Sequence, residues 1–383
     1  MAFLGKFGDL LSSALGGGKD VSVLGIDIGS SSAKIVQMRA SRGSAVLETY
    51  GEISLGPYGG QPIGKVVKLS PEKIAQALSD LMREANVNAR TGGISIPFSS
   101  SLISVLEFPK VDQDALKRMV PIEARKYIPM PVSEVTLDWF VIPKDEGEEK
   151  SAFDRVQGAP AQKPGGQEVL LVAIHNETVN AYRTISETAA LHMEFYEIEI
   201  FSAVRSSLSH GIAPVLVVDL GAATTKMYIV ERGIVRLTHL MTSGGQHMTD
   251  GLARSLDWDF EKAERIKRER GLLDSAAYST DENERIKTAL LSTLTRLFSE
   301  VNRVLLSYGQ RYNKNVSRVV FCGGGASLPG LAEHAKASLN AEVEIADPFS
   351  RTEAPAFLGD VLRAIGPGFA VSVGLVLRKL KST

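Results

Sequence analysis

Two segments of the sequence repeat one pattern of residue types that could bind phosphate. The first reads Asp-Ile-Gly-Ser-Ser-Ser-Ala-Lys from Asp27 to Lys34, and the second reads Asp-Leu-Gly-Ala-Ala-Thr-Thr-Lys from Asp219 to Lys226. A turn of glycine and small hydroxyl residues lets successive backbone N–H groups point into one concavity, which suits phosphate oxygens. An Asp at its rim suits a hydrated divalent cation. The matched pair therefore predicts one triphosphate site that is held from two halves of the chain.

The residues around each segment predict the strands that position it. Each Asp ends an apolar run, over residues 21–26 and 215–218, and each turn of small residues leads into a second apolar stretch. This pattern is typical of strand, tight turn and strand. A further glycine cluster, at residues 323–327, follows a predicted strand over 316–322. It could bring the backbone close to a flat or anionic ligand, or could only make a tight strand-to-helix turn.

The composition limits the classes of protein to which the chain can belong. Its 383 residues, of which 44% are hydrophobic, allow about two to four domains with a buried core. The formal net charge of −1 shows no overall bias towards nucleic acid or anionic lipid. The single cysteine, Cys322, excludes a disulfide framework and fits a reducing cytosol. We expect no apolar stretch near the roughly 20 residues that span a bilayer, and no zinc site or Ser-His-Asp group is apparent.

The alternation of strand and helix patterns predicts a first α/β domain over residues 21–210. Within it, residues 70–143 are predicted to form a compact α+β insert. Residues 144–167, rich in charge, Pro and Gly, are predicted to be a mobile loop between two paired strands. Residues 1–20 predict a short amphipathic helix and a glycine linker. That helix could contact a membrane, pack on its own domain or be disordered.

The second predicted domain covers residues 211–383. Helical periodicity over residues 244–315 predicts a helical subdomain, which begins directly after the second hairpin at a Gly-Gly pair. The apolar ending, over residues 366–380, is too short to span a membrane and predicts a buried helix that packs back on the first domain.

Three motifs in this order resemble those of the actin-like ATPase superfamily. Residues 25–34 resemble its first phosphate motif, residues 218–226 its second phosphate motif and residues 321–327 its adenosine motif. Within the superfamily, residues 123–140 and 367–378 are similar to the PilM family of type IV pilus assembly proteins, which is related to FtsA. The resemblance implies an actin-like (ribonuclease H-like) two-domain α/β ATPase fold, with an FtsA/PilM-type α+β insert in the first domain.

The resemblance also implies which residues contact ATP or ADP and Mg²⁺. Asp27 and Asp219 would face the metal, mostly through water, while the backbone amides of both turns would hold the phosphates. Lys34 could reach a phosphate or make a surface ion pair. Glu264 and Lys267 match a segment beside the ribose and adenine, but they lie one helical turn apart and could form only a helix-surface pair. The implied nucleotide-binding residues are Asp27, Gly29, Ser30, Ser31, Ser32, Lys34, Asp219, Gly221, Ala222, Ala223, Thr224, Thr225, Lys226, Gly244, Gly245, Glu264, Lys267, Gly323, Gly324, Gly325 and Ser327.

Hydrolysis of ATP would need a group that orients an in-line water. Glu199 is the candidate catalytic residue, and Glu197 is its rival because strand alternation is expected to put both on one face. The sequence at this point reads Glu-Ile-Glu-Ile-Phe, whereas the family pattern it resembles reads Asp-Ile-Glu-Pro-Phe. We therefore expect at most a slow ATPase.

Three hypotheses for the function remain open. The first is an ATP-switched scaffold, cytoplasmic and peripheral to the inner membrane. In the PilM family such a scaffold binds the cytoplasmic N-terminal tail of a PilN-like bitopic membrane protein, beside other inner-membrane platform proteins and the assembly ATPase. The second is a filament-forming cytoskeletal ATPase like FtsA or MreB, in which the chain would form a homo-oligomer. The third is a small-molecule kinase of the same superfamily, although no acceptor base is apparent.

Overall fold

The computed structural model describes residues 22–41, 43–143, 166–209 and 211–381. The predicted N-terminal helix over 1–20 lies outside the described residues, and so does the predicted loop 144–167 except for its last two residues. In chain order the strands are β1 (Ser22–Ile28), β2 (Ser32–Ser41), β3 (Ser44–Ser54), β4 (Thr91–Ile96), β5 (Ser101–Phe108), β6 (Val135–Val141), β7 (Gln167–His175), β8 (His192–Ile198), β9 (Val215–Leu220), β10 (Thr225–Glu231), β11 (Ile234–Met241), β12 (Arg318–Cys322) and β13 (Glu342–Ile345). The helices are α1 (Pro71–Glu84), α2 (Gln113–Ala124), α3 (Asn176–Thr188), α4 (Glu199–Ser207), α5 (Gly245–Leu256), α6 (Phe260–Arg270), α7 (Thr280–Tyr312), α8 (Leu331–Ser338), α9 (Gly359–Ile365) and α10 (Ala370–Lys381).

The first lobe is built on a five-stranded sheet in the order β3-β2-β1-β4-β8. Its first three strands form an antiparallel meander, and β4 and β8 continue it in parallel. Both faces of the sheet are covered, as near-continuous apolar runs in β1 and β2 predict. Leu24, Ile26 and Ile35 are buried in one cluster, and Val23 and Val36 of the same strands in another. The first Asp-x-Gly segment is the turn between β1 and β2, as predicted.

The second lobe repeats this topology in the order β11-β10-β9-β12-β13. Again an antiparallel meander is followed by two parallel strands, and the second Asp-x-Gly segment is the turn of its first hairpin. Helices α5, α6 and α7 occupy the predicted helical region 244–315. The longest of them, α7, begins with a capping box in which Ser279 and Glu282 satisfy each other's backbone N–H groups.

The insert differs from its predicted range of 70–143. A separate three-stranded sheet, in the order β5-β7-β6, packs with α2 around its own small core. By contrast, β4 belongs to the main sheet of the first lobe. Because β7 is the central strand and pairs antiparallel with both neighbours, we define the insert as residues 101–175. Its central strand follows β6 only after residues 144–165, so local sequence patterns do not reveal the pairing.

The C-terminal helix α10 packs on the first lobe. A Cβ atom on Gly25 of β1 would lie only 2.1 Å from the carbonyl oxygen of Ser372, so helix and strand touch backbone to backbone. Among the described residues, Ala356–Leu380 is the one segment long and apolar enough to cross a membrane, but 67% of its most apolar window is buried in the fold. The expectation that no stretch approaches this length is therefore wrong, because α9 and α10 join through one short 3₁₀ turn. The predicted buried helix is confirmed.

Candidate functional site

Both Asp-x-Gly turns line one cavity of about 350 Å³ between the lobes. The predicted residues that line it are Asp27, Gly29, Ser30, Ser31, Ser32, Lys34, Glu199, Asp219, Gly221, Ala222, Thr224, Lys226, Gly245, Glu264, Lys267, Gly323, Gly324, Gly325 and Ser327. Ala223, Thr225 and Gly244 are not part of the lining. Thr225 is buried and donates its hydroxyl to the carbonyl oxygen of Ser243 at 2.7 Å, because as the first residue of β10 it points into its own lobe.

The two turns have the same backbone geometry. In the first, the N–H of Gly29 donates to the carbonyl oxygen of Ser32 at 3.0 Å, and in the second, that of Gly221 donates to Thr224 at 3.0 Å. In each hairpin the Asp also stands directly across from the Lys seven residues later. The repeated sequence pattern therefore produces a repeated local structure.

The first aspartate, Asp27, sits at the end of β1 and is held by a neighbouring strand. Its Oδ1 accepts a hydrogen bond from the hydroxyl of Ser95 at 2.7 Å. Burial raises the pKa of Asp27, and the nearby ammonium of Lys34 opposes that rise. The carboxylate is thus placed at a low-dielectric edge of the cavity, where a compensating charge would bind strongly.

The two equivalent lysines point to different partners. Lys34 lies 3.0 Å from Glu52 and donates to Ser32 at 2.8 Å, and its side chain is only 11% exposed. Lys34 therefore makes an ion pair, as one of the two predicted alternatives has it, and its side chain lies in the lining of the cavity. Lys226 instead lies 2.7 Å from Glu199 and 3.3 Å from Asp219.

The two candidate glutamates lie on different sides of the fold. Glu197 is bound by Arg205 at 2.7 Å and by Arg378 of α10 at 2.9 Å, away from the cavity. Glu199 lines the cavity, where its Oε1 accepts the backbone N–H of Phe98 at 2.7 Å. Strand alternation fails here because β8 ends at Ile198 and Glu199 is already the first residue of α4. Placement thus favours Glu199 over Glu197.

Electrostatics bind Glu199 tightly to Lys226. Burial raises the pKa of Glu199, although the ammonium of Lys226 works against this rise. Burial also disfavours the charge of Lys226, but the carboxylates of Asp219 and Glu199 outweigh it and raise the pKa of the lysine. The result is a buried ion cluster in which one ammonium serves two carboxylates.

The helical region supplies the opposite wall of the cavity. Glu264 and Lys267 of α6 form a 2.6 Å ion pair whose members are both nearly buried. Lys267 also donates to the carbonyl oxygen of Gly245 at 3.1 Å, next to the second turn. Burial opposes the charge of Glu264, but Lys267 and the hydroxyl of Thr249 outweigh it and lower the pKa of the carboxyl. The pair is therefore an element of the cavity wall and not a helix-surface pair.

The glycine cluster after β12 makes a tight turn against the second aspartate. Gly323 has φ 81° and ψ 166°, a conformation that only glycine adopts easily. A Cβ atom there would lie 2.4 Å from Oδ1 of Asp219. The N–H of Gly323 donates to the carbonyl oxygen of Pro367 at 2.8 Å. This turn and the cavity lining are thus one structure.

Several lining residues escaped the sequence analysis: Glu52, Gly64, Gln246, Arg268, Pro367 and Gly368. The strand register offers a signal for one of them, because Glu52 stands directly across β2 from Lys34. Gly64 is recognised only in the structure, where it has a positive φ and where a Cβ atom would lie 2.7 Å from the carboxyl of Glu264. The others reach the cavity only through the tertiary fold.

The lobes touch each other above the cavity through the segment that follows β3. Lys65 lies 3.2 Å from Asp250 of α5 and 4.3 Å from the ring centre of Phe260. The N–H of Val66 donates to the side chain of Gln246 at 2.7 Å. We call these contacts the interlobe latch. They hold the lobes together at the mouth of the cavity.

A second bridge joins the insert to the second lobe. Arg236 of β11 donates to Glu168 of β7 at 2.5 Å. On the same side, the buried Glu231 accepts from Lys314 at 2.7 Å and from Tyr308 at 3.1 Å.

The insert also carries two exposed apolar side chains, Ile122 at 62% and Tyr127 at 47% exposure.

The aspartates do not fit a directly coordinated Mg²⁺ ion. The described residues contain no group of three or more His, Cys, Asp or Glu side chains arranged to hold a metal. Asp27 accepts from Ser95, and the ammonium of Lys226 stands beside Asp219. Mg²⁺ prefers near-octahedral oxygen coordination and keeps several of its waters. An ion that keeps most of its waters fits this arrangement.

Comparison with protein families gives one match that covers nearly the whole chain. The family model described as "Type IV pilus assembly protein PilM" matches residues 25–380. Among curated relatives, the cell division protein FtsA of Agrobacterium fabrum is 24% identical over 234 residues, which cover 54% of this chain and 52% of the relative. The chain thus spans about half the length of this relative.

Comparison with solved structures identifies the fold. A chain of a PilM–PilN type IV pilus biogenesis complex has a TM-score of 0.75 at 24% identity, with coverage of 94% of this chain and 99% of the other. MreB5 of Spiroplasma citri, solved with ADP, has a TM-score of 0.50 at 11% identity, with coverage of 94% and 97%. The predicted actin-like fold with its insert is confirmed.

Proposed function

The chain belongs to the family of the type IV pilus assembly protein PilM. We propose that it is a nucleotide-binding scaffold in which closure of the two lobes changes the affinity for a docked membrane-protein tail. One observation carries this proposal: two hairpins of the same local geometry, one from each lobe, line a single cavity. A polyanion that fills such a cavity touches both lobes at once. Its binding therefore favours the arrangement in which the lobes are close.

In this proposal the cavity takes ATP or ADP. The backbone amides of residues 29–32 and 221–225 hold the phosphates, because a turn of small residues leaves its N–H groups accessible to an anion. Glu264 and Lys267 contact the ribose and base from the helical side, and Gly323–Gly325 offer the flat surface that an adenine needs. Glu199 would orient the attacking water, and because its carboxylate is already paired with Lys226 we expect hydrolysis to be slow.

Two sets of contacts respond to the nucleotide: the interlobe latch, and the contact between Glu168 and Arg236, which we call the insert bridge. The latch joins the lobes at the mouth of the cavity through Lys65 and Gln246. The bridge between Glu168 and Arg236 ties the insert to the second lobe. A change in the angle between the lobes therefore changes the position of the insert.

We propose that the insert docks the tail. The PilM neighbour was solved as a complex with PilN, and we infer a PilN-like membrane protein as the partner here. Its cytoplasmic tail would contact the insert surface that carries Ile122 and Tyr127, since exposed apolar side chains of this kind mark binding surfaces. Such a partner would keep the protein on the cytoplasmic side of the inner membrane.

The test is the affinity for a fluorescent peptide that covers the cytoplasmic N-terminal segment of the PilN-like protein of the same organism. We expect saturating ATP to change the dissociation constant at least about fivefold, the lower end of usual coupling energies. Ile122→Glu should weaken peptide binding, whereas Ile212→Glu, at a residue that is 77% exposed outside the insert, should not. Equal peptide affinity with and without bound ATP would overturn the nucleotide switch. Rapid ATP turnover only with an added metabolite would favour the kinase.

A further inference from the structure

We propose that Lys226 is a built-in counter-cation of the nucleotide cavity, which neutralises Asp219 and Glu199 so that nucleotide binding depends little on Mg²⁺. This inference rests on the proposed nucleotide site. It concerns the charge balance of that site, which determines how much of the attraction for a polyphosphate comes from the chain itself and how much from a metal.

The position of Lys226 is fixed from three sides. Its Cα stands directly across the hairpin from that of Asp219. Its ammonium lies 2.7 Å from Oε2 of Glu199 and 3.3 Å from Oδ2 of Asp219. All three side chains are nearly buried, with exposures of 13% for the lysine, 11% for the glutamate and 6% for the aspartate. Such a pair is screened little by salt, so the ammonium is a permanent part of the site.

The first hairpin shows that this arrangement does not follow from the motif alone. Lys34 occupies the equivalent register position opposite Asp27, but its ammonium pairs with Glu52. Among the residues that the structure describes, Asp27 makes no ion pair and accepts only from Ser95. One hairpin therefore carries an internally neutralised aspartate and the other an aspartate without a paired cation.

The acidic residues of the cavity require a nearby cation when a polyphosphate binds, whether the chain or a metal ion supplies it. Asp27, Asp219 and Glu199 all line the space that a polyphosphate would enter, and like charges at close range in a low-dielectric site repel strongly. A divalent ion usually removes this repulsion. Here the ammonium already stands between two of the three acids and contacts one oxygen of each, so less of their negative charge is left for Mg²⁺ to neutralise.

Glu199 has no carboxylate oxygen free of a close partner. Its Oε1 accepts from the N–H of Phe98 and its Oε2 from Lys226, both at 2.7 Å. A carboxylate held in this way stabilises the ammonium more than it orients a water. The site is thereby suited to retaining a nucleotide.

The experiment measures the affinity for ADP and ATP by calorimetry in Mg²⁺ and in EDTA. For the wild type we expect the two conditions to differ by less than about threefold. For Lys226→Met we expect the affinity in EDTA to fall at least about tenfold below that in Mg²⁺, because Asp219 and Glu199 are then unpaired; this ratio corresponds to about 1.4 kcal/mol. Lys226→Arg keeps the charge and should keep the wild-type ratio.

Removal of the lysine leaves buried carboxylates and can impair folding. The double variant Lys226→Met with Glu199→Gln removes the pair together, and it should also show the larger Mg²⁺ dependence. Thermal melting establishes that each variant is folded. A wild-type protein that loses more than about tenfold in EDTA overturns the inference, and so does a Lys226→Met variant with the wild-type ratio. Absence of nucleotide binding by the wild type in both conditions overturns the proposed function as well.

Discussion

The carboxylate of Glu168, on the central strand of the insert, accepts a hydrogen bond from the guanidinium of Arg236 on the edge strand of the second lobe. This contact crosses from the proposed docking element to the lobe that carries the second phosphate turn. Because the two residues belong to separate structural elements, the contact exists only when the insert and the second lobe hold this relative position.

Glu168→Gln should uncouple nucleotide binding from tail binding. The glutamine loses the charge that pairs with Arg236, while the neighbouring Glu231 still lies 3.7 Å from that arginine, so the protein should stay folded. We expect ATP to change the tail-peptide affinity by less than about twofold in this variant, measured by fluorescence anisotropy. Glu107→Gln, at the residue directly opposite on β5, is the matched control and should respond to ATP like the wild type. An unchanged ATP effect in Glu168→Gln would show that the bridge does not transmit closure.

Asp27→Asn should reduce the thermal stabilisation that ATP with Mg²⁺ gives. The amide keeps the size of the side chain and its contact with Ser95 but removes the charge through which a hydrated cation would be held. Because the whole effect of Mg²⁺ on affinity is expected to be less than about threefold, the ligand contribution to stability should fall by about 0.6 kcal/mol or less at saturating nucleotide. Differential scanning fluorimetry with and without nucleotide measures the effect. The control is Asp360→Asn, whose side chain is 99% exposed; equal shifts in both variants would count against Asp27 as a site residue.

Lys65→Ala should speed nucleotide release. The substitution removes the ion pair to Asp250 and the contact with the ring of Phe260, which together are worth about 1 kcal/mol, or about fivefold in the dissociation rate. Stopped-flow displacement of a fluorescent nucleotide analogue measures the rate. Lys68→Ala removes an exposed lysine three residues away and should release the analogue at the wild-type rate. If both variants match the wild type, the latch does not control closure.

Gly323→Ala should destabilise the protein and weaken the nucleotide site together. Its backbone conformation costs a non-glycine residue about 1–3 kcal/mol, and the new methyl group would press on the carboxylate of Asp219. Gly324→Ala is a sharp control, since a Cβ atom there meets no atom within 4 Å. Urea unfolding measures the difference in the free energy of unfolding between the two variants. Similar values for both would contradict the strain assigned to Gly323.

The stability of the first lobe should fall in acid through Glu197. Burial opposes its charge, but Arg205, Arg378 and Ser202 outweigh it and hold the pKa of Glu197 below its ordinary value. An acid whose pKa is depressed in the folded state contributes stability above its unfolded pKa, and this contribution is lost as the pH falls through the folded pKa. Glu197→Gln should therefore cost about 3 kcal/mol at pH 7 and progressively less below pH 4.5. Melting temperatures across this range, with exposed Glu187→Gln as the control, measure the effect.

The local elements of the site were predictable, and their tertiary partners were not. The hairpin turns follow from Asp, Gly and small residues at fixed spacing, which specify a turn by themselves. The different partners of Lys34 and Lys226 do not follow from spacing, because β3 delivers Glu52 to one and α4 delivers Glu199 to the other. Strand alternation misplaced Glu197 relative to Glu199 because a helix begins between them. The insert boundary failed for a similar reason, since β7 pairs across a long stretch of sequence.

The contact between Gly323 and Pro367 has a consequence for how the protein is made. The carbonyl oxygen that orders the glycine turn, and the helix that covers β1 at Gly25, both belong to residues after 366. A ribosome delivers these residues only after it has synthesised every other part of the cavity. During translation one face of the sheet in the first lobe therefore stays uncovered until α10 has left the ribosome. The cavity reaches its final form only after that step.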